Sequence, residues 1–381
     1  MRSNRSSQPG RRERGRAGQT VRRFRSRAVR AAVLAAPVVA LSLSLGTSPV
    51  QASERGLPAT AVTWHKFALM NGWQSDQSGY GTGDPSWAVK GGVVYLSGSL
   101  TRGPGTSGRF ATLPSQARPA HTLRITVCTY QDTAGYLFVK PSGAVTVQSS
   151  PSSNSTIFTS LAGVSFPSPS LAQKKLTLKN GWQSGRSKSG SGDPSYAVKG
   201  GVVYLSGSID QPAGTATEFA VLPGAARPAA TSFDEAFLYN GTFGGITFDT
   251  DGTSYSYSGP QARLFTSLDG VSYPAAATTR HKLTLLNGWK QFSSGAPAYT
   301  LIGGVVHLSG YMHQPAGTSL KFAVLPPGTR PAHDLYITIT ANGFPATVKI
   351  TPNGAMLAYS PVPSNARTFS GLAEVSFPLG S

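Results

Sequence analysis

The sequence predicts an all-β chain: three tandem antiparallel β-sandwich domains of jelly-roll-like form behind a signal peptide. Three observations carry that expectation. The phrase Asn-Gly-Trp occurs at Asn71–Trp73, Asn180–Trp182 and Asn287–Trp289, with the tryptophans 109 and 107 residues apart, so whole domains repeat and not short solenoid motifs. Apolar side chains recur with period two between turn residues. The 44 Gly and 28 Pro give many turns yet fall short of a low-complexity composition.

Each copy runs through the same elements. After Asn-Gly-Trp comes a Gly-Gly-Val-Val strand start at Gly91, Gly200 and Gly303, then Phe-Ala-x-Leu-Pro from Phe110, Phe219 and Phe322. Arg-Pro-Ala follows at Arg118, Arg227 and Arg330, and Val-Ser-aromatic-Pro closes the unit at Val164, Val271 and Val375. In the third copy Leu335, Ile337 and Ile339 alternate with Tyr336, Thr338 and Thr340, the pattern of a half-buried strand. The expected boundaries are 57–167, 168–274 and 275–381. The short joints Ser168–Ala172 and Ala275–Thr279 imply a stiff array.

Residues 1–52 read as an export signal. Eleven Arg stand against one Glu in residues 1–30, an apolar run spans Ala31–Leu45, and Val50-Gln51-Ala52 offers a cleavage site. The run is too short for a membrane span, which needs about 20 residues. Arg22-Arg23-Phe24 leaves the ordinary and the twin-arginine routes both open. Without the signal the net charge falls from +19 to +9, carried by scattered bases, so no nucleic-acid partner is expected. The expected location is extracellular, in association with the cell wall. Cys128 is the only cysteine, so each domain must hold by its core, and the thiol reads as a buried strand residue.

The repeats act as an internal control on catalysis. Asp84 and Asp193 lie in Gly-Asp-Pro, but the third copy has Ala296 there. His121 and His333 align after Arg-Pro-Ala, yet Ala230 replaces them in the second copy. Asp249-Thr250-Asp251-Gly252 resembles a calcium loop, but its counterparts share only the final Gly, so it reads as a hairpin turn. No nucleophile, phosphate-loop or zinc motif occurs. The chain is therefore expected to be no enzyme and to use no metal or cofactor. An enzyme would need a single divergent site, for example Asp234 or Glu235 facing Asp249.

The shared residues call for structural or binding roles. Trp73, Trp182 and Trp289 are expected to be buried anchors, with an exposed platform for sugar rings as the alternative. Arg118, Arg227 and Arg330 are expected to fork onto backbone carbonyls or a partner carboxylate, the alternative being an anionic ligand. Binding is expected in the variable loops Gln74–Ser86, Gln183–Ser195 and Lys290–Ala298, with Trp87, Tyr196 and Tyr299 beside them and Asp84 and Asp193 within them.

Leu283–Trp289, Gly303–Gly310, Phe322–Ala332 and Leu372–Pro378 carry a resemblance that the other copies repeat. The pattern resembles the β-rich terminal modules of bacteriophage tail and baseplate receptor-binding proteins. The resemblance implies saccharide binding and trimerisation, here in a secreted protein of a high-GC Gram-positive bacterium. Unlike a tail protein, the chain has an export signal and no long stalk. The function expected is recognition of a surface glycan or wall polymer through repeated modules. The alternative is a structural, self-assembling envelope protein with protein partners.

Overall fold

A computed structural model describes residues 62–381, apart from 104–106, 189, 258 and 294; the export signal lies outside the described residues. The repeated phrases explain the local structure. Asn and Gly both take positive φ at Asn71-Gly72 (57° and 77°), Asn180-Gly181 (53° and 78°) and Asn287-Gly288 (54° and 79°), the type I′ requirement that Asn-Gly meets most easily. Each Asn side chain then donates to a carbonyl of the Phe-Ala strand, at Arg109, Glu218 and Lys321. The Trp that follows is buried, and its indole N–H donates to the carbonyl of Ser107, Ala216 or Ser319 at 3.1, 2.9 and 2.9 Å. Its ring meets Phe110, Phe219 or Phe322 at 6.0–6.1 Å. The phrase is thus a staple between the start of a copy and its middle.

The arginines brace a second turn. Nε of Arg118, Arg227 and Arg330 donates to the carbonyl of Leu113, Leu222 and Leu325, at 3.1, 3.4 and 2.9 Å. They lie against the hairpin glycines Gly143, Gly252 and Gly354, where a Cβ would stand 2.4–2.6 Å from those same carbonyls. Asp249–Gly252 is one of these turns, with Asp251 accepting from the Thr253 amide. It joins the strands Phe243–Phe248 and Thr253–Ser256, as the shared Gly implies.

Every copy is a sandwich of antiparallel sheets. In the first, a four-stranded sheet (His65–Lys66, Ser86–Lys90, Val93–Ser97, Ser165–Pro167) faces a seven-stranded one. In the other two copies the second layer is divided into a three- and a four-stranded sheet. One buried core fills each sandwich, around Phe110 and Phe166, Phe219 and Phe248, and Phe322 and Phe377.

The copies are not strung in line as short joints alone would suggest. Over the described residues they pack into a single unit closed around a pseudo-threefold axis. The equivalent strands Leu123–Thr129, Ser232–Phe237 and Leu335–Ala341 meet pairwise there. This changes the expected alternation: Thr338 and Thr340 are buried as well as Ile337 and Ile339, because the polar face of the strand looks onto the other copies. A second axial cluster joins Val93, Val202 and Val305 with Tyr95 and Tyr204, whose hydroxyls lie 3.1 Å apart. The third copy places His307 at that position, 1% exposed and with neither ring nitrogen hydrogen-bonded; burial pushes its pKa down to about 4.

Two outcomes follow from these anchors. Trp182→Ala removes a buried ring and its hydrogen bond, and should cost about 3–5 kcal/mol in chemical denaturation. His307 has a depressed folded pKa, so its contribution is present above the unfolded value and lost as pH falls from about 6.5 toward about 4. His307→Phe should therefore stabilise the protein relative to wild type increasingly over that interval, as thermal midpoints would report.

Candidate functional site

The aromatics singled out in the sequence lie on the outer four-stranded sheets, half-buried, in the strands Ser86–Lys90, Ser195–Lys199 and Ala298–Ile302. Their cross-strand partners are His65, Lys174 and His281. Trp87 stacks on His65 at 4.5 Å and Tyr299 on His281 at 5.1 Å. Asp84 accepts from Ser75 at 2.8 Å and pairs with Lys66; Asp193 accepts from Ser184 at 2.8 Å and pairs with Lys175 and Arg186 at 2.8 and 3.2 Å. The Lys66 and Lys175 ammonium groups, helped by the serines, hold both carboxyls below their ordinary range, Asp193 at about 2. These aspartates are thus anchored within their own copies.

The Gly-Asp-Pro loops also explain the histidines. His121 of the first copy lies against Gly192, where a Cβ would stand 2.3 Å from its ring. His333 of the third copy lies against Gly83 in the same way, at 2.8 Å. At the seam between the second and third copies the histidine position is Ala230 and the aspartate position Ala296, and Tyr311 fills the space beside Gly295. The two histidines thus sit across a seam, each on the loop glycine of the neighbouring copy.

Sequence reasoning missed the clefts that these seams create. Where the third copy meets the first, Tyr80, Tyr130, Phe158, Tyr336 and Tyr359 surround a cleft of about 290 Å³, with Lys349 and Asp132 at its polar side. Tyr80 lies 4.0 Å from Phe158 and meets Tyr336 edge-on at 5.8 Å. The Lys349 ammonium sits 4.9 Å from the Tyr336 ring centroid and pairs with Asp334 at 2.7 Å. Burial raises the pKa of Asp132.

Where the first copy meets the second, the equivalent cleft holds about 270 Å³ between Arg124, Phe138, Phe237, Tyr239, Asn240 and Phe265. The Arg124 guanidinium lies 5.3–5.9 Å from three of those rings. The correspondence is positional: Tyr239 matches Tyr130, Asn240 matches Gln131, and Phe265 matches Phe158. Gln131 and Asn240, each lining its cleft, share a left-handed φ of 58° and 57°. At the third seam Phe233, Tyr311 and Phe369 pack edge to face at 5.2 and 5.7 Å and fill the corresponding space.

Both clefts combine ring faces, one cation and one side-chain amide, a lining suited to a polar ring with apolar faces. Among the described residues Asp132 is the only carboxylate lining the larger one. Asp234 and Glu235 face Glu374 of the third copy in the interior, whereas Asp249 is held at its turn by Thr231.

Cys128 borders the larger cleft but is 2% exposed, with Sγ 3.2 Å from Thr347 Oγ1, and burial pushes its thiol up to about 12. A disulfide-exchange reagent at pH 8 should leave it unmodified in the native protein and titrate one thiol once denaturant is added. Comparison with protein-family models, with curated proteins and with solved structures returns no match for the chain.

Proposed function

We propose that the chain is an exported, non-catalytic binding protein that takes sugar rings of a surface glycan or wall polymer in its inter-copy clefts. The observation that carries this reading is the pair of equivalent aromatic clefts, each with a cation and an amide at its rim. Sugar C–H faces stack on such rings, while the amide, Lys349 and Arg124 suit hydroxyl or acidic substituents. Two clefts held in one unit would gain by avidity on a repeating polymer. The resemblance to phage receptor-binding modules supports the same ligand class. The trimer implied there has its counterpart here in three copies fused in one chain. Trp87, Tyr196 and Tyr299, with Asp84 and Asp193, line neither cleft and would offer a separate outer surface to the same ligand class.

One observation favours assembly with a protein. Phe344 and Val362, 58% and 52% exposed, border an apolar cavity of about 280 Å³ with Phe243. Such exposed apolar groups suit a protein partner in an envelope structure.

A glycan array probed with the full chain and with Tyr239→Ala and Tyr359→Ala tests the proposal. Each substitution should weaken binding by roughly three- to tenfold, the worth of one ring face. Silence of the folded wild type across the array would remove the glycan reading. Large assemblies in light scattering would then favour the protein partner.

A further inference from the structure

The strands on the pseudo-threefold axis carry one departure from their own pattern. Ile337 of the third copy lies over Gly163 of the first, and Ile125 of the first lies over Gly270 of the second, each isoleucine methyl within 2.6–2.7 Å of where a Cβ would stand. The glycines make room for the isoleucines. At the remaining seam the isoleucine position is Asp234 and the glycine position is Glu374. The neighbouring position, Thr126 and Thr338 in two copies, is Glu235 in the second. An apolar pair has become a cluster of carboxyl groups in one seam of three.

That cluster lines a central cavity of about 40 Å³, bounded by all three copies. Asp234 and Glu235 are 2% and 6% exposed. Asp234 accepts from Ser232 at 2.6 Å through one oxygen while its other oxygen lacks a hydrogen-bond partner, and the Glu235 carboxyl has the Thr340 hydroxyl beside it. Glu374 accepts from the Glu235 amide across the seam. Thr338 Oγ1, on a residue 6% exposed, borders the same cavity and also lacks a partner. The cavity thus offers donors and acceptors to a water-sized occupant.

No Lys, Arg or His lines the cavity among the described residues. The titratable groups facing it are these three carboxyls and Asp269, which is already held by the amides of Gly207 and Arg124 and the hydroxyls of Ser206 and Ser267. His121 stands 3.5 Å from Asp269, and Tyr273 interacts electrostatically with Asp234. The axial strands of the first and third copies bring only isoleucine and threonine.

We propose that the axial cavity is a proton-binding site, in which protonated Asp234, Glu235 and Glu374 clasp the second copy to the third and release it as they ionise. A carboxyl that carries its proton can donate into this cavity, to a neighbouring carboxylate or to Thr338. Once ionised, the groups only accept, and they repel one another in a setting that screens poorly. Burial raises all three: Asp234 and Glu235 to about 7, Glu374 well above its ordinary value. Because the folded values lie above the unfolded ones, the folded state holds more protons between the two. The stabilisation is therefore complete below about pH 4 and is lost as pH rises through about 7. His307 acts in the opposite sense between about 4 and 6.5, but it involves one proton against up to three.

The test compares thermal midpoints of the full chain and of an Asp234→Asn, Glu235→Gln, Glu374→Gln variant from pH 5 to pH 8. The wild-type midpoint should fall by about 5 °C or more relative to the variant as pH rises. Equal slopes in the two proteins would overturn the proposal. If the triple variant does not fold, Glu235→Thr, which restores the residue of the other copies, takes its place. Infrared spectra at pH 6 should then show a protonated-carboxyl stretch in wild type that weakens in that variant; an unchanged spectrum would also overturn it. A wild-type midpoint restored at pH 8 by calcium chloride, with no such rescue in the variant, would replace the proton by a cation and refute the proposal as stated.

Discussion

The structure depends on the mutual burial of three equivalent strands at the pseudo-threefold axis. A single copy can bury one face of its axial strand in its own core, as Ile125 and Ile337 extend the cores of the first and third copies. The other face carries Thr126, Thr338 and Thr340, with Val93, Val202 and Val305 at a second level of the axis. An isolated sandwich would leave those valines and tyrosines in water, forgoing about 1.5–3 kcal/mol for each large apolar side chain. Closing three copies around the axis covers all of them at once. Closure of the trio thus adds to the stability that each copy's own core supplies.

Everything of chemical interest sits where copies meet. The two aromatic clefts, the His121 and His333 contacts with the Gly-Asp-Pro loops, and the axial carboxyls are all seam features. The seam between the second and third copies departs from the other two at every level. Alanines replace the histidine and the aspartate, phenylalanine and tyrosine rings fill the cleft, and carboxyls replace the isoleucine–glycine pair. Glu235 and Glu374, which look like unrelated changes along the sequence, touch across this one interface.

Much of the fold was legible in the sequence because it is set by local rules. Asn-Gly demands its turn, the indole needs an acceptor, and the hairpin glycines need positive φ, so anchors, turns and the all-β architecture could be read from short phrases. Of the partners open to the arginines, the structure shows backbone carbonyls in all three copies. Period-two alternation says which residues share a face, but not what covers it, so the burial of Thr338, Thr340 and Tyr204 was out of reach. The clefts were hidden for the same reason. Tyr336 donates to the Tyr80 carbonyl across 256 residues of sequence, and no motif spans that distance. The one available signal was the repeated Tyr130-Gln131 and Tyr239-Asn240 step, whose left-handed second residue marks each rim.

Fusion of the copies is what permits this asymmetry. In a trimer of identical chains any residue placed on the axis appears three times, so Asp234, Glu235 and Glu374 would bring nine carboxyls to one small cavity. The cost of burying so many like charges would prevent assembly at neutral pH. In a single chain the same substitution is made once, against two conventional isoleucine–glycine seams that keep the axis closed. Two seams can then keep open aromatic clefts while the third is packed with rings and carries the carboxyls. Covalent linkage thus converts a symmetric scaffold into one whose three interfaces can be specialised separately, each change constrained only by the residue that faces it.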